Sequence, residues 1–126
     1  LRLRPKYYVV DMAFKQLLLP DINRDRGHVL ENVVYLELRR RGYTVYVGQL
    51  TKGEIDFVAQ KPGGILEYYQ VSESVLDPTT RDRELAPLEA VKDQYPKFLL
   101  TMDELYKPHN YNGIQQCNVL DWLLGM

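Results

Sequence analysis

Apolar residues recur with helical spacing in residues 27–41, and this is the clearest periodic pattern in the chain. Positions three and four residues apart lie on one face of a helix, and here that face carries Leu30, Val33, Val34 and Leu38. Three arginines follow in the last turn, where cations interact favourably with the helix dipole. Gly42 then offers a residue suited to a C-terminal cap. The pattern therefore predicts an amphipathic helix that ends near residue 41.

A second helix is predicted from Asp77 to about Tyr95. Near its start, Thr79 and Asp82 have the three-residue spacing of a capping pair. Pro87 lies inside the predicted helix and is expected to kink it, because proline has no backbone N–H. The helix is therefore expected to be long and bent.

Runs of β-branched and aromatic residues predict short strands separated by turns. These strands lie at residues 6–11, 43–47, 54–59, 65–72, 97–101 and 114–119, and a short helix is predicted at residues 120–124. The turns at residues 51–53 and 62–64 are short, which favours antiparallel hairpins. The succession of helix, three strands, helix and strand indicates an α/β domain with a mixed central sheet and helices on both faces.

Length and composition indicate a single globular domain, residues 1–126. With 45% hydrophobic and 26% charged residues, the chain is not of the disordered class. No stretch approaches the roughly 18 apolar residues of a membrane span. Cys117 is the single cysteine, so no internal disulfide can form, and a reducing cytoplasm is the expected location. Because the first residue is Leu1 and not methionine, we expect a C-terminal fragment of a longer protein.

The charge is nearly balanced overall but unevenly distributed. Residues 1–50 carry nine Lys or Arg against five Asp or Glu, whereas residues 51–126 carry seven against twelve. Most such charges only keep a surface solvated, but the basic first half could also form a local phosphate-binding face. Arg39, Arg40 and Arg41 are the candidate nucleic-acid contacts. The ten tyrosines could stack on bases, although most are expected at the edge of the core or on the surface.

Four polar residues form the candidate chemical constellation. Glu31 lies on the first predicted helix, and Asp56 lies on the second of the three consecutive strands. Gln70 and Ser72 are two residues apart on the third strand, so they share one face of the sheet. Glu54 shares the strand face of Asp56 by the same alternation.

Each acidic residue also has a structural interpretation. Asp56 stands between Ile55 and Phe57, so we expect it to face away from the core that these two residues fill. There it could be solvated, or partly buried and hydrogen-bonded, because a buried acid must be paired or protonated. Glu31 could pair with an arginine or cap a loop. Both interpretations remain open at this point.

Several segments of the chain together resemble one protein family. They are residues 7–11, 27–32 with 40–43, 53–58, and 69–72 with 80–84. They are similar to the C-terminal domain of a prokaryotic AAA-type ATPase family, and the string at residues 54–58 resembles the PD-(D/E)XK nuclease superfamily. The resemblance covers nearly the whole chain and implies a restriction-endonuclease-like fold. It also implies an N-terminal ATPase domain in the same protein, which would hold the ATP.

The resemblance implies a metal site as well. Carboxylates of such a nuclease hold magnesium against the scissile phosphate while a lysine stabilises the developing charge. Glu31 and Asp56 would be the ligands here, but Gln70 brings no charge to the next ligand position and Ser72 replaces the lysine. Lys52, in the preceding turn, is a substitute cation to consider. The resemblance therefore implies the layout of a magnesium site without its full hydrolytic power.

Three functions from different classes remain. We prefer a binding module, a catalytically degenerate nuclease-like accessory domain that binds DNA or a partner, such as its own ATPase domain. The second is an active magnesium-dependent nuclease that uses Glu31, Asp56 and Gln70. The third is a protein-interaction scaffold without a nucleic-acid role, with an exposed apolar patch around Trp122.

Overall fold

Seven strands and three helices are found in the computed structural model, which describes residues 1–5, 26–107 and 109–125. The elements are β1 (Arg2–Pro5), α1 (Arg26–Arg40), β2 (Thr44–Gln49), β3 (Glu54–Gln60), β4 (Leu66–Val71), α2 (Pro78–Ala90), β5 (Lys97–Thr101), β6 (His109–Tyr111), β7 (Ile114–Asn118) and α3 (Val119–Leu123). The strand predicted at residues 6–11 lies outside the described residues. No helix in the described part of the chain is long and apolar enough to cross a membrane.

The seven described strands form one sheet in the order β1-β2-β3-β4-β5-β7-β6. Neighbours from β1 to β4 are antiparallel, which confirms the predicted hairpins. Strands β4, β5 and β7 run parallel, and β6 is antiparallel to β7 at the edge of the sheet. The sheet is therefore mixed, as predicted.

Two hydrophobic cores cover the two faces of the sheet. On one face, side chains of α1 and α3 pack on the sheet around Phe57, Tyr69 and Leu100. On the other face, Leu85 and Leu88 of α2 pack on a layer that includes Ile55, Val58, Tyr68 and Leu99. Successive residues along β4, and likewise along β5, face opposite cores, as the period of two in a strand requires. The protein is thus an α/β domain with helices on both faces.

Helix α2 is shorter than its sequence pattern predicts. It ends at Ala90, and Val91 is already extended, whereas the prediction continued to Tyr95. The carboxylate of Asp93 accepts hydrogen bonds from the hydroxyl of Tyr68 and from the N–H of Tyr95. These contacts hold the segment against β4, so a tertiary interaction overrides the continuing helical pattern.

The start of α2 also differs in detail. The N-cap is Asp77, whose Oδ1 accepts the N–H of Thr79 at 3.1 Å. The predicted pair of Thr79 and Asp82 was therefore wrong as the cap, because Asp77 lies one residue before the proline that opens the helix. The helix continues through Pro87 to its end.

Strand β6 is not among the strands predicted from the sequence. It forms a hairpin with β7 through Asn112 and Gly113, whose φ angles are +53° and +94°. An Asn-Gly pair with two positive φ angles is the preferred two-residue connection between antiparallel strands. The Asn-Gly pair could have indicated this hairpin in the sequence. The flanking strand β6, however, has only three residues, too few to show a strand pattern.

Candidate functional site

A bulge in β3 determines which way Asp56 faces. The register against β2 shifts by one residue between Tyr46 and Gly48, so β3 contains one residue more than its neighbour. Ile55 consequently belongs to the core beneath α2, whereas Phe57 belongs to the core beneath α1. The expectation that both fill one core was wrong, because a bulge breaks the strict alternation of a strand.

The side-chain amide of Gln70 joins β4 to β3 and α2. Its Oε1 accepts the N–H of Asp56 at 2.7 Å. Its Nε2 donates to the carbonyl oxygens of Glu54 and Glu84, each at 3.3 Å. Gln70 is only 3% exposed, so these bonds satisfy an amide that water scarcely reaches. We call this arrangement the Gln70 joint.

Asp56 completes the joint from the side of β3. Its Oδ2 accepts the N–H of Val71 at 2.9 Å. The backbone ladder between the two strands includes the pair of Phe57 and Tyr69, next to these side chains. Asp56 and Gln70 thus reach across to the backbone of each other's strand. The structure brings these two candidate residues together as partners within the sheet.

Glu84 is a further acidic residue at this end of the sheet. The pKa of Glu84 is raised, chiefly by burial. The neighbouring Arg83 opposes this rise, and the negative charge of Glu31 adds to it. Glu31 also lies against His28, with 3.9 Å between Oε2 and Nδ1. No local pattern in the sequence marks Glu84, because its carbonyl contact with Gln70 joins two different elements.

The side chains of Ser72, Glu54 and Lys52 have other surroundings than the joint. The hydroxyl of Ser72 donates to the carbonyl oxygen of Ser74 at 3.1 Å. Glu54 forms an ion pair of 2.9 Å with Arg4, and both side chains are about half exposed. Lys52 is exposed and borders a groove whose lining includes Leu1, Arg2 and Ala90. The substitute cation suggested by the sequence therefore faces this groove.

A magnesium ion requires several oxygen ligands in a near-octahedral arrangement. Within residues 1–5, 26–107 and 109–125, no three His, Cys, Asp or Glu side chains come close enough together to hold a metal ion. The Oε1 of Gln70 already accepts the N–H of Asp56. The described side chains therefore offer fewer charged ligands than a magnesium site uses. Metal binding by Glu31 and Asp56 stays a prediction.

The three arginines lie at the far end of α1 from Glu31, about 12 Å further along at 1.5 Å per residue. Arg40 donates to both carboxylate oxygens of Glu37, and Arg41 donates to one of them, each at 2.7 Å. Hydrogen bonding from Arg40 lowers the pKa of Glu37 to about 2. Burial acts in the opposite direction and raises this pKa. Arg39 is exposed. The predicted phosphate contacts are therefore separated from Glu31, one of the two predicted metal ligands.

Arg41 also fastens helix α3. Its Nη2 donates to the carbonyl oxygen of Trp122 at 2.8 Å, and its guanidinium lies 4.4 Å from the centre of the indole ring. Trp122 is only 4% exposed. Trp122 itself is therefore part of the core, whereas Leu120 and Leu124 beside it are exposed, and an apolar patch around Trp122 stays a prediction.

Fold and site together define an α/β domain whose mixed sheet contains a hydrogen-bonded polar joint. No family model matches the chain, and no solved structure matches it significantly. An uncharacterised protein of Haemophilus influenzae is 38% identical over 124 residues, which are 98% of this chain and 30% of that protein. An uncharacterised protein of Methanocaldococcus jannaschii is 34% identical over 93 residues, which are 70% of this chain and 20% of that protein. The chain therefore spans less than a third of either relative.

Proposed function

We propose that this chain is a non-catalytic accessory domain of a longer cytoplasmic ATPase, with a restriction-endonuclease-like fold. Its role would be to bind a ligand and not to cleave one. One observation carries the proposal, namely that the amide of Gln70 bonds to Asp56, Glu54 and Glu84. The position that the nuclease resemblance assigns to a metal ligand thus has a structural use here.

The neighbouring motif position supports the same proposal. Ser72 stands where the resemblance implies a lysine, and its hydroxyl donates to Ser74. A hydroxyl carries no positive charge at neutral pH, so it cannot replace a lysine in stabilising charge on a phosphate. Lys52 lies on the rim of a separate groove. Neither Ser72 nor the groove-lining Lys52 therefore supplies the lysine charge of the motif, which supports a binding role over a hydrolytic one.

The relatives support an accessory role. Both extend far beyond the aligned part, and the chain covers 30% and 20% of their lengths. In the proposed arrangement a separate ATPase domain binds ATP and supplies the energy, while the domain described here contributes recognition. Docking on that ATPase domain and binding of DNA are both compatible with such a role.

The proposal is tested by incubating the 126-residue chain with labelled single-stranded and duplex oligonucleotides in magnesium, in manganese and in a chelator. We expect no cleavage under any of these conditions. Metal-dependent cleavage that is lost in Asp56→Ala would contradict the proposal and favour the active nuclease. Asp82→Ala is the matched control, because it removes an exposed carboxylate of α2 that takes no part in the joint.

A further inference from the structure

The β6 edge of the sheet presents aromatic and cationic side chains together. His109 and Tyr111 are two residues apart on β6 and share one face of the strand, with their ring centres 6.3 Å apart. The guanidinium of Arg81, from α2, lies 5.9 Å from the centre of the Tyr111 ring. The three side chains thus form a short row of two rings and a cation across two elements.

Two more side chains of the same chemistry precede β6. Tyr106 is fully exposed and belongs to neither hydrophobic core. Lys107 follows it and is also exposed. Tyr106 lies three residues before His109, so their Cα atoms are at most about 11 Å apart. A further ring and a further cation therefore lie within reach of the row.

We propose that this edge binds single-stranded nucleic acid. The β6-edge surface is defined by Arg81, Tyr106, Lys107, His109 and Tyr111. Unpaired bases would stack on the exposed rings, and phosphates would meet the two cations, which is how proteins hold single strands without reading sequence. The inference rests on the proposed function, because it names the ligand of the proposed binding module.

A single strand fits this surface better than a duplex does. The bases of a duplex are stacked on one another, so their faces are closed to Tyr106 and His109. The surface contributes only two full positive charges, Arg81 and Lys107, so affinity must come largely from stacking. We therefore expect a shallow salt dependence, with a slope of about −1.4 in a plot of log affinity against log salt concentration.

The arginine cluster at the end of α1 is less suited to this ligand. Arg40 and Arg41 are hydrogen-bonded to Glu37, and Arg41 is also engaged with Trp122. Arg39 is exposed, but the rings next to this helix end are already engaged, Trp122 by Arg41 and Tyr43 by Lys61. The structure therefore favours the β6 edge over the site that the arginine triplet suggests in the sequence.

The test measures fluorescence anisotropy of a labelled single-stranded oligonucleotide of about 12 nucleotides, within the usual site size of such proteins, with the 126-residue chain. Tyr106→Ala is expected to weaken binding about 5- to 100-fold, because it removes one stacking ring. Tyr106→Phe keeps the ring and is expected to bind as the wild type does. Because Tyr106 is fully exposed, neither change should alter the thermal unfolding midpoint.

The charge contribution is tested separately. Lys107→Gln and Arg81→Gln are each expected to reduce the salt slope by about 0.7. Lys52→Gln is the matched control, since it removes an exposed lysine from the turn between β2 and β3, and three strands lie between β3 and β6 in the sheet. It should leave both the affinity and the slope unchanged.

Equal binding by wild type and Tyr106→Ala would overturn the inference, as would a preference for duplex that is lost in Arg39→Gln. Absence of binding to any oligonucleotide would also overturn it and would favour a protein partner, with the proposed non-catalytic role unaffected. Metal-dependent cleavage by a chain that still loses affinity in Tyr106→Ala would overturn the proposed function and support the β6-edge surface.

Discussion

Polar side chains at the centre of the sheet are hydrogen-bonded within the protein, whereas those at its β6 edge are exposed to solvent. At the Gln70 joint, the amide of Gln70 and the carboxylate of Asp56 are directed at backbone groups inside the protein. At the β6-edge surface, Tyr106 and Lys107 are exposed to solvent. Buried polar groups that satisfy one another stabilise a fold, whereas exposed rings and cations remain available to a ligand. The polar groups of the Gln70 joint therefore have structural partners, whereas the side chains of Tyr106 and Lys107 remain accessible.

Gln70→Leu is expected to have the largest effect on stability. Leucine fills a similar volume but cannot hydrogen-bond to the N–H of Asp56 or to the carbonyl oxygens of Glu54 and Glu84. The free energy of unfolding should fall by about 2–4 kcal/mol, because buried polar groups lose their partners. Urea denaturation measures this loss.

The matched control for this change is Gln115→Leu, which replaces an exposed glutamine on β7. Its effect should stay within about 0.5 kcal/mol. Similar losses for both variants would mean that the amide of Gln70 does not hold the strands together, and the contrast between the centre and the edge would disappear.

Glu37→Gln is expected to have an intermediate effect that depends on pH. The carboxylate of Glu37 has a pKa of about 2 in the folded protein, below its ordinary value of 4.5. A lowered folded pKa means that the carboxylate stabilises the fold above about pH 4.5 and that this contribution is lost as the pH falls from 4.5 towards 2. At pH 7 the variant should lose about 1–2 kcal/mol of unfolding free energy.

Urea denaturation of wild type and Glu37→Gln across pH 3 to 7 checks this prediction, the range being set by the two pKa values of Glu37. The difference between them should be constant above about pH 5 and should shrink below it. A difference that is the same at every pH would contradict the ion pairs with Arg40 and Arg41. The loss in Gln70→Leu, in contrast, removes a neutral amide and does not follow the titration of Glu37.

Gly113→Ala is expected to have the smallest effect on stability and to act on the edge alone. Gly113 has a φ of +94° in the turn between β6 and β7, a conformation that a side chain makes unfavourable by about 1 kcal/mol. The strain should displace His109 and Tyr111 and weaken oligonucleotide binding. Urea denaturation and the anisotropy assay measure the two consequences.

Gly27→Ala is the matched control, since Gly27 has an ordinary φ and no neighbouring atom within 4 Å of an added Cβ. At the start of α1 an alanine should be neutral or slightly stabilising. If Gly113→Ala lowers stability but leaves binding intact, the rings of β6 are not the binding surface.

Much of the fold could be predicted from local patterns. Helix α1 begins within one residue of its predicted start and ends one residue before its predicted end, and β5 has its predicted bounds. The end of α2 was wrong because Asp93 is held by Tyr68, a residue of β4. Strand β6 was missed because its three residues are too few to show an alternating pattern.

The candidate site could be predicted only in part. Asp56 and Gln70 are brought together, but the bulge that orients Asp56 and the carbonyl of Glu84 that completes the joint have no local signal. A bulge depends on how two strands pair, and strand pairing depends on the packing of both faces of the sheet.

The amino-acid sequence by itself determined the α/β succession of elements, because periodicities of 3.6 and 2 are set by neighbouring residues. It also determined that an amide and a hydroxyl stand at Gln70 and Ser72, without the charges of a carboxylate and a lysine. Only the tertiary structure decided that the amide binds the backbone of α2, 14 residues away, and that Arg41 reaches Trp122, 81 residues away. Such contacts form when packing brings distant segments within hydrogen-bonding distance, which no local pattern contains.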